Sequence, residues 1–270
     1  MNLNQISYEL KYLNKVLHGD FSELIKGIPD SSIDLVVTSP PFNAGKDYGE
    51  EVDDNLPKLD YLNLLYTFLK ESRRVLKHGG KIVIDLPTWI PSIMIKPDMV
   101  VYNLMMRVGL VYRETIYWIK GEKRGDGIAV SGGKRRFHRK NPVEPMITPV
   151  ATPIVIGYKG SLFRMDRLKE GEKNLKWDIT EKEYNEFSSN VWIIPPLRYR
   201  KYDHEAAFPD DIPYRAIKLF TFIGDTVLDP FVGIGTTALV AKRLKRNFIG
   251  FELSRKSYSI AIDRLEGIIV

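Results

Sequence analysis

The sequence predicts an α/β fold: an open, mostly parallel sheet with helices on both faces. Three observations predict it. Short apolar runs alternate with amphipathic stretches over the first 118 residues, as strands alternate with helices in such folds. The C-terminal third repeats the style. The middle breaks it, with polar, aperiodic segments that read as insertions on an α/β scaffold.

Element by element, residues 33–37 (Ile-Asp-Leu-Val-Val) form the first clear strand. The prolines of Thr38-Ser39-Pro40-Pro41 stop it. Residues 61–76 read as a helix with Leu62, Leu65, Leu69 and Leu76 near one face. His78-Gly79-Gly80 ends that helix and residues 81–86 make the next strand. Residues 99–108 are helical, and 111–118, rich in aromatic and β-branched side chains, make another strand. Pro213 stands where a first helical residue would, with the helix running over 214–222. Val227-Leu228-Asp229 is a strand, 236–244 a helix and 248–251 a strand. Ser254 caps a last helix that runs to residue 265.

The middle is read as loop. Residues 121–140 hold Lys123, Arg124, Lys134, Arg135, Arg136, Arg139 and Lys140 against only Glu122 and Asp126. Residues 161–189 form a second charge-mixed segment.

Composition narrows the function classes. With 270 residues the chain allows one large domain, or one plus a small appendage. Hydrophobic residues at 44% and charged residues at 27% exclude wholesale disorder. The absence of Cys excludes a disulfide scaffold, thiolate metal sites and a cysteine nucleophile. It fits a reducing cytoplasm, or a hot one. His18, His78, His138 and His204 are scattered without ligand spacing, so no metal is expected. The four tryptophans, Trp89, Trp118, Trp177 and Trp192, read as packing residues. The opening residues carry no apolar core of a signal peptide, and no run approaches the ~18 residues of a membrane span. A net charge of +6 suits a polyanion partner.

Two loops carry chemistry. Asp229-Pro230-Phe231-Val232-Gly233-Ile234-Gly235-Thr236-Thr237 joins a strand to a helix. Its glycines permit a tight turn and close approach of a ligand, and the helix start offers free N–H groups to an anion. Glu252 ends the next strand, 17 residues after Gly235, a spacing suited to an acid on ribose hydroxyls. Ala238 stands where a dinucleotide fingerprint has its third glycine, and Asp229 would repel a pyrophosphate. A nicotinamide oxidoreductase is therefore disfavoured.

The second loop is Thr38-Ser39-Pro40-Pro41-Phe42-Asn43. Two prolines fix φ and remove two donors, so the Ser39 and Pro40 carbonyls stand as held acceptors. Phe42 adds a flat face, and Ser39 a hydroxyl. Such a site suits a planar amine. Conjugation makes the exocyclic amine of a nucleobase a poor nucleophile. Fixed acceptors draw its hydrogens out of plane and free the lone pair.

Together these residues resemble the amino-group DNA methyltransferases that use S-adenosylmethionine. Ser39-Pro40-Pro41-Phe42 is similar to the catalytic motif of the N4-cytosine members, where adenine-N6 members more often have Asp in the first position. The loop from Asp229 to Thr237 resembles the family's cofactor loop and Glu252 its ribose-binding acid. His204-Glu205-Ala206-Ala207-Phe208-Pro209 resembles the segment that closes the methionine pocket, and Gly19-Asp20 a position near the adenine. The order, catalytic loop first and cofactor loop last, is that of the β subgroup.

The resemblance implies a seven-stranded, doubly wound, Rossmann-like methyltransferase sheet with an inserted target-recognition region. Residues 1–120 would form the catalytic half, 121–202 the insertion and 203–270 the cofactor-binding half. Ser39, Pro40, Pro41 and Phe42 would be catalytic. Asp20, Asp229, Phe231, Gly233, Gly235, Thr236, Thr237 and Glu252 would bind S-adenosylmethionine. Lys134, Arg135, Arg136, Arg139, Lys140, Arg198 and Arg200 would meet double-stranded DNA, since cations beside phosphates release counterions. The target base would be flipped from the duplex. The implied activity is site-specific methylation of cytosine N4 in a prokaryotic cytoplasm, by a monomer or homodimer with a companion restriction endonuclease. Adenine N6, an RNA base amine and a catalytically silent DNA-binding relative are the alternatives.

Overall fold

The computed structural model describes residues 3–45, 52–90, 93–124, 127–130, 150–161, 175–197 and 208–269. Its strands are β1 (Lys15–His18), β2 (Ile33–Thr38), β3 (Leu76–Asp85), β4 (Leu110–Arg124), β5 (Gly127–Val130), β6 (Ala151–Lys159), β7 (Val191–Ile194), β8 (Thr226–Asp229) and β9 (Asn247–Glu252). Its helices are α1 (Leu3–Tyr12), α2 (Phe21–Leu24), α3 (Lys58–Val75), α4 (Pro97–Val108), α5 (Glu181–Phe187), α6 (Asp211–Phe220), α7 (Thr236–Arg243) and α8 (Arg255–Leu265).

The strands run in the order β1-β9-β8-β2-β3-β6-β4-β5, with β7 also on β4. From β1 to β3 every ladder is parallel. β6 is antiparallel to both β3 and β4. The sheet has nine strands among the described residues rather than seven. β2 is buried along its whole length and packs on both faces. Ile33 and Val36 join a core with Leu65, Phe68 and Leu69 of α3 and Val101 and Met105 of α4. Leu35 and Val37 join another with Ile212, Ala216 and Ile217 of α6, Val240 of α7 and Ala261 of α8. A strand buried on both faces has no polar side to show, so its sequence is largely apolar.

Several expectations change. His78-Gly79-Gly80 does not itself end α3, which stops at Val75. It lies inside β3, and the register against β2 jumps from Ile33↔Leu76 to Leu35↔Lys81 across it. Gly79 has φ +74°, and a Cβ on Gly80 would sit 2.9 Å from the Lys77 carbonyl oxygen. The glycines serve a bulge, not a helix cap. Residues 121–124 extend β4 and pair with β5, so the basic middle opens as a hairpin and not a loop. Pro213 is the third residue of α6, within the first turn, where its missing N–H has no intrahelical partner to lose. The expected insertion over 121–202 is not one block apart from the sheet: β6 lies at the sheet's middle and β7 on β4.

The part of that segment nearest the cofactor half is tied down by charge. Arg246 is buried and reaches Asp178 at 2.7 Å. Lys218 lies 3.3 Å from Glu183, and Tyr214 donates to Glu183 at 2.7 Å. Thr180 and Glu183 close a capping box that starts α5.

Candidate active site

β2 and β8 are parallel neighbours, and their crossovers leave in opposite directions, β2 towards β3 and β8 towards β9. A crevice opens beyond the carboxyl ends of strands at such a reversal. Here it is a cavity of about 290 Å³ whose wall includes Ser39, Pro40, Pro41, Phe42, Gly19, Asp20, Phe231, Gly233, Thr236 and Glu252. Residues from the two ends of the sequence thus share one wall.

The loop after β2 is held from several sides. The Tyr61 hydroxyl donates to the Pro41 carbonyl at 3.1 Å, which leaves the Ser39 and Pro40 carbonyls as the pair Tyr61 does not engage. Asn43 takes φ +52°, a conformation Asn tolerates better than most residues. Its N–H donates to Asp54 Oδ1 at 2.7 Å. Its side-chain amide exchanges two hydrogen bonds with the backbone of Leu56, at 3.0 and 2.7 Å. Ser39 Oγ lies 3.4 Å from both the carbonyl oxygen and Oδ2 of Asp85, the last residue of β3.

The loop after β8 turns through two glycines, Gly233 at φ +55° and Gly235 at φ +83°. Glu252 accepts from Gly233 N–H at 2.8 Å and from Ser254 N–H at 2.7 Å. Arg264 of α8 donates to the Ile234 carbonyl at 2.7 Å and contacts Thr236 Oγ1 at 3.2 Å. The Phe231 ring sits 4.8 Å from that of Phe21 and 5.5 Å from that of Phe68. Asp20 caps α2, accepting from Ser22 N–H at 2.7 Å.

Three expected cofactor residues are not on this wall. Asp229 is buried, its carboxylate engaged by Thr38 and by the Phe231 N–H. Gly235 faces away, where a Cβ would meet that of Ala261 at 3.0 Å. Thr237 is buried beneath the loop at 1% exposure. They shape the site from behind. The predicted phosphate contacts Lys134, Arg135, Arg136, Arg139, Lys140, Arg198 and Arg200 lie outside the described residues, as do His204 to Ala207. Phe208 of that segment lines the cavity. Sequence reasoning missed Tyr61, Asp54, Asp85 and Phe21.

The wall fits a nucleoside with a charged tail. It offers aromatic faces, a carboxylate, a left-handed glycine turn and the first residue of α7. Among the described residues no cluster of three or more His, Cys, Asp or Glu could hold a metal ion.

Burial, the largest cause, pushes Glu252 up to about 7 against the N–H groups of Ser254 and Gly233. Burial likewise pushes Asp229 up to about 6 against its hydrogen bonds. Both carboxyls hold protons more tightly folded than unfolded. The contribution is therefore present at low pH and lost as pH rises from about 4 towards 7. If Glu252 holds the ribose hydroxyls, as the resemblance implies, cofactor affinity has the opposite sign, because an ionised Glu252 accepts hydroxyl hydrogen bonds more strongly. We expect affinity to rise from about pH 6 to about pH 8 and Glu252→Gln to flatten the rise. Titration calorimetry at several pH values checks this, and a flat wild-type profile would contradict it.

A family model described as DNA methylase matches residues 33–263. The chain belongs to this N6- and N4-directed DNA methylase family. Type II methyltransferase M.HpaI of Haemophilus parainfluenzae is 30% identical over 246 residues, covering 90% of this chain and 71% of its relative. Among solved structures, the cytosine-N4-specific PvuII DNA methyltransferase has a TM-score of 0.67 at 24% identity, over 93% of this chain and 85% of that one. A DNA modification methylase of Thermus thermophilus, complexed with S-adenosyl-L-methionine, has a TM-score of 0.65 at 23% identity, over 94% of this chain and 93% of that one.

Proposed function

We propose that this protein transfers a methyl group from S-adenosylmethionine to the exocyclic N4 of cytosine at a specific sequence of duplex DNA. One observation carries the reading: the amine-binding loop 39–42 and the cofactor loop with Glu252 line one cavity. S-adenosylmethionine supplies an electrophilic methyl group. Glu252 holds the ribose, and Phe21 and Phe231 bound the apolar side.

The chain's own residues prepare the amine. A target base inside a duplex is out of reach, so it is flipped into the cavity. Phe42 stacks on it. The Ser39 and Pro40 carbonyls accept the amino hydrogens and free the nitrogen lone pair. Once methylated, the nitrogen must shed a proton. The Ser39 hydroxyl takes it and passes its own to the Asp85 carboxylate 3.4 Å away. Lys134, Arg135, Arg136, Arg139 and Lys140, with Arg198 and Arg200, meet backbone phosphates, and a type II relative supports a place in a restriction–modification system.

Adenine N6 is the second reading. Asp85 brings a carboxylate next to Ser39, near where adenine members carry their Asp. The test uses methyl-labelled S-adenosylmethionine and mixed-sequence duplex DNA, digested to nucleosides. We expect the label on N4-methylcytosine. Label on N6-methyladenine would overturn the base assignment alone, and label on neither base would overturn the activity.

A further inference from the structure

The two loops are joined beneath the cavity by one hydrogen bond. Thr38 is the last residue of β2 and Asp229 the last of β8. Thr38 Oγ1 donates to Asp229 Oδ1 at 2.6 Å. Both residues are buried, at 1% and 2% exposure. The same oxygen accepts the Phe231 N–H at 3.1 Å. One carboxylate oxygen therefore binds the root of the amine-binding loop and the backbone of the cofactor loop together.

The position of this bond matters. The paired register of β2 and β8 ends at Val36↔Leu228. The Thr38–Asp229 contact ties the two strands together beyond that point. Ser39 and Pro230, the next residues of each chain segment, both line the cavity. The β-branched Thr38 is stiff at χ1, so the hydroxyl is a short, rigid strut.

We propose that Thr38 is a positioning residue for methyl transfer, its bond to Asp229 setting the separation between the amine held by one loop and the methyl carried by the other. This rests on the methyltransferase reading above. Transfer needs the reacting atoms within about 3–3.5 Å and aligned, and a slip of about 1 Å costs on the order of 100-fold. Thr38 acts through the two loops and touches neither ligand. Its removal should therefore lower the rate of the chemical step and leave ligand affinities alone.

Thr38→Val keeps the shape and removes the hydroxyl, Thr38→Ser keeps the hydroxyl, and Thr38→Cys puts a weaker donor in the same place. Single-turnover methyl transfer would be measured at saturating DNA and cofactor, with the cofactor Kd and Tm measured alongside. We expect Thr38→Val to slow transfer on the order of 30- to 100-fold with Kd within about threefold. Thr38→Ser should restore the rate to within about threefold, with Thr38→Cys between them; these bounds follow the same positioning argument. A wild-type rate in Thr38→Val or, if that variant does not fold, in Thr38→Cys would overturn the proposal. So would a parallel loss of rate, affinity and Tm that Thr38→Ser does not restore. A wild-type protein that methylates no DNA would instead sink the reading on which the proposal rests.

Discussion

Asp85→Asn is expected to slow methyl transfer on the order of 100- to 10,000-fold, the range general-base catalysis supplies. The cofactor Kd should stay within about threefold, because the proposed cofactor contacts, Glu252 and the loop after β8, are other parts of the wall. Asn keeps the shape and an acceptor oxygen but cannot take a proton. Asp85 Oδ2 lies 3.4 Å from Ser39 Oγ, so a serine hydrogen turned towards the carboxylate would leave an oxygen lone pair for the amine. Ser39→Ala should cost about as much. The double variant should cost little more than either single one, since the two act as one relay. Single-turnover rates of the two single variants and the double variant check this. A variant at the wild-type rate would remove Asp85 from the mechanism.

Gly235→Val is expected to destabilise the fold by about 2–5 kcal/mol. A left-handed backbone costs an L-residue about 1–2 kcal/mol, and overpacking adds about 1–3. Both apply here, with φ +83° and a Cβ that would lie 3.0 Å from that of Ala261. For a chain of this size the Tm should fall by roughly 2–4 °C per kcal/mol. The sequence predicts a direct block of the cofactor at this position. The structure relocates the effect, because Gly235 backs on to α8 and not on to the cavity. Ala261→Gly in a Gly235→Ala background should therefore recover part of the lost stability. Thermal melts decide it: no recovery would mean that backbone strain alone accounts for the loss.

The parts of the fold that could be read from sequence were those with local causes. β2, β8 and β9 are short apolar runs stopped by turn residues, and Ser254 caps α8 as its position suggests, accepting from Ser257 N–H. β6 was hidden because Pro153 stands directly before its Ile-Val-Ile run. Its ladder with β3 stops at Asp85↔Ile154, so the missing N–H falls outside it, and the Pro153 carbonyl still accepts from Leu86 N–H at 3.1 Å. The two loops were visible because glycine and proline restrict the backbone in recognisable ways. Their supports were not. Tyr61 reads as one more apolar position on α3, Thr38 as a strand end and Asp85 as part of a strand. Each matters only because the fold carries it to a distant partner.

The sheet also orders events during synthesis. β1 pairs only with β9 among the described strands, and β8 fills the place between β9 and β2. Residues 15–18 emerge from the ribosome early and find their partner at 249–252, almost at the other end of the sequence. Until then β1 has no ladder, and until β8 is made β2 keeps an open edge, the kind of edge that recruits other chains. Contacts so distant in sequence also make closure slow. Refolding followed by pulsed amide exchange should find β3, β4 and β6 protected before β1, and simultaneous protection would argue against this order. A nascent chain that must wait for so late a strand depends on being shielded meanwhile, so yield in the cell should track chaperone supply more closely than the stability of the finished protein.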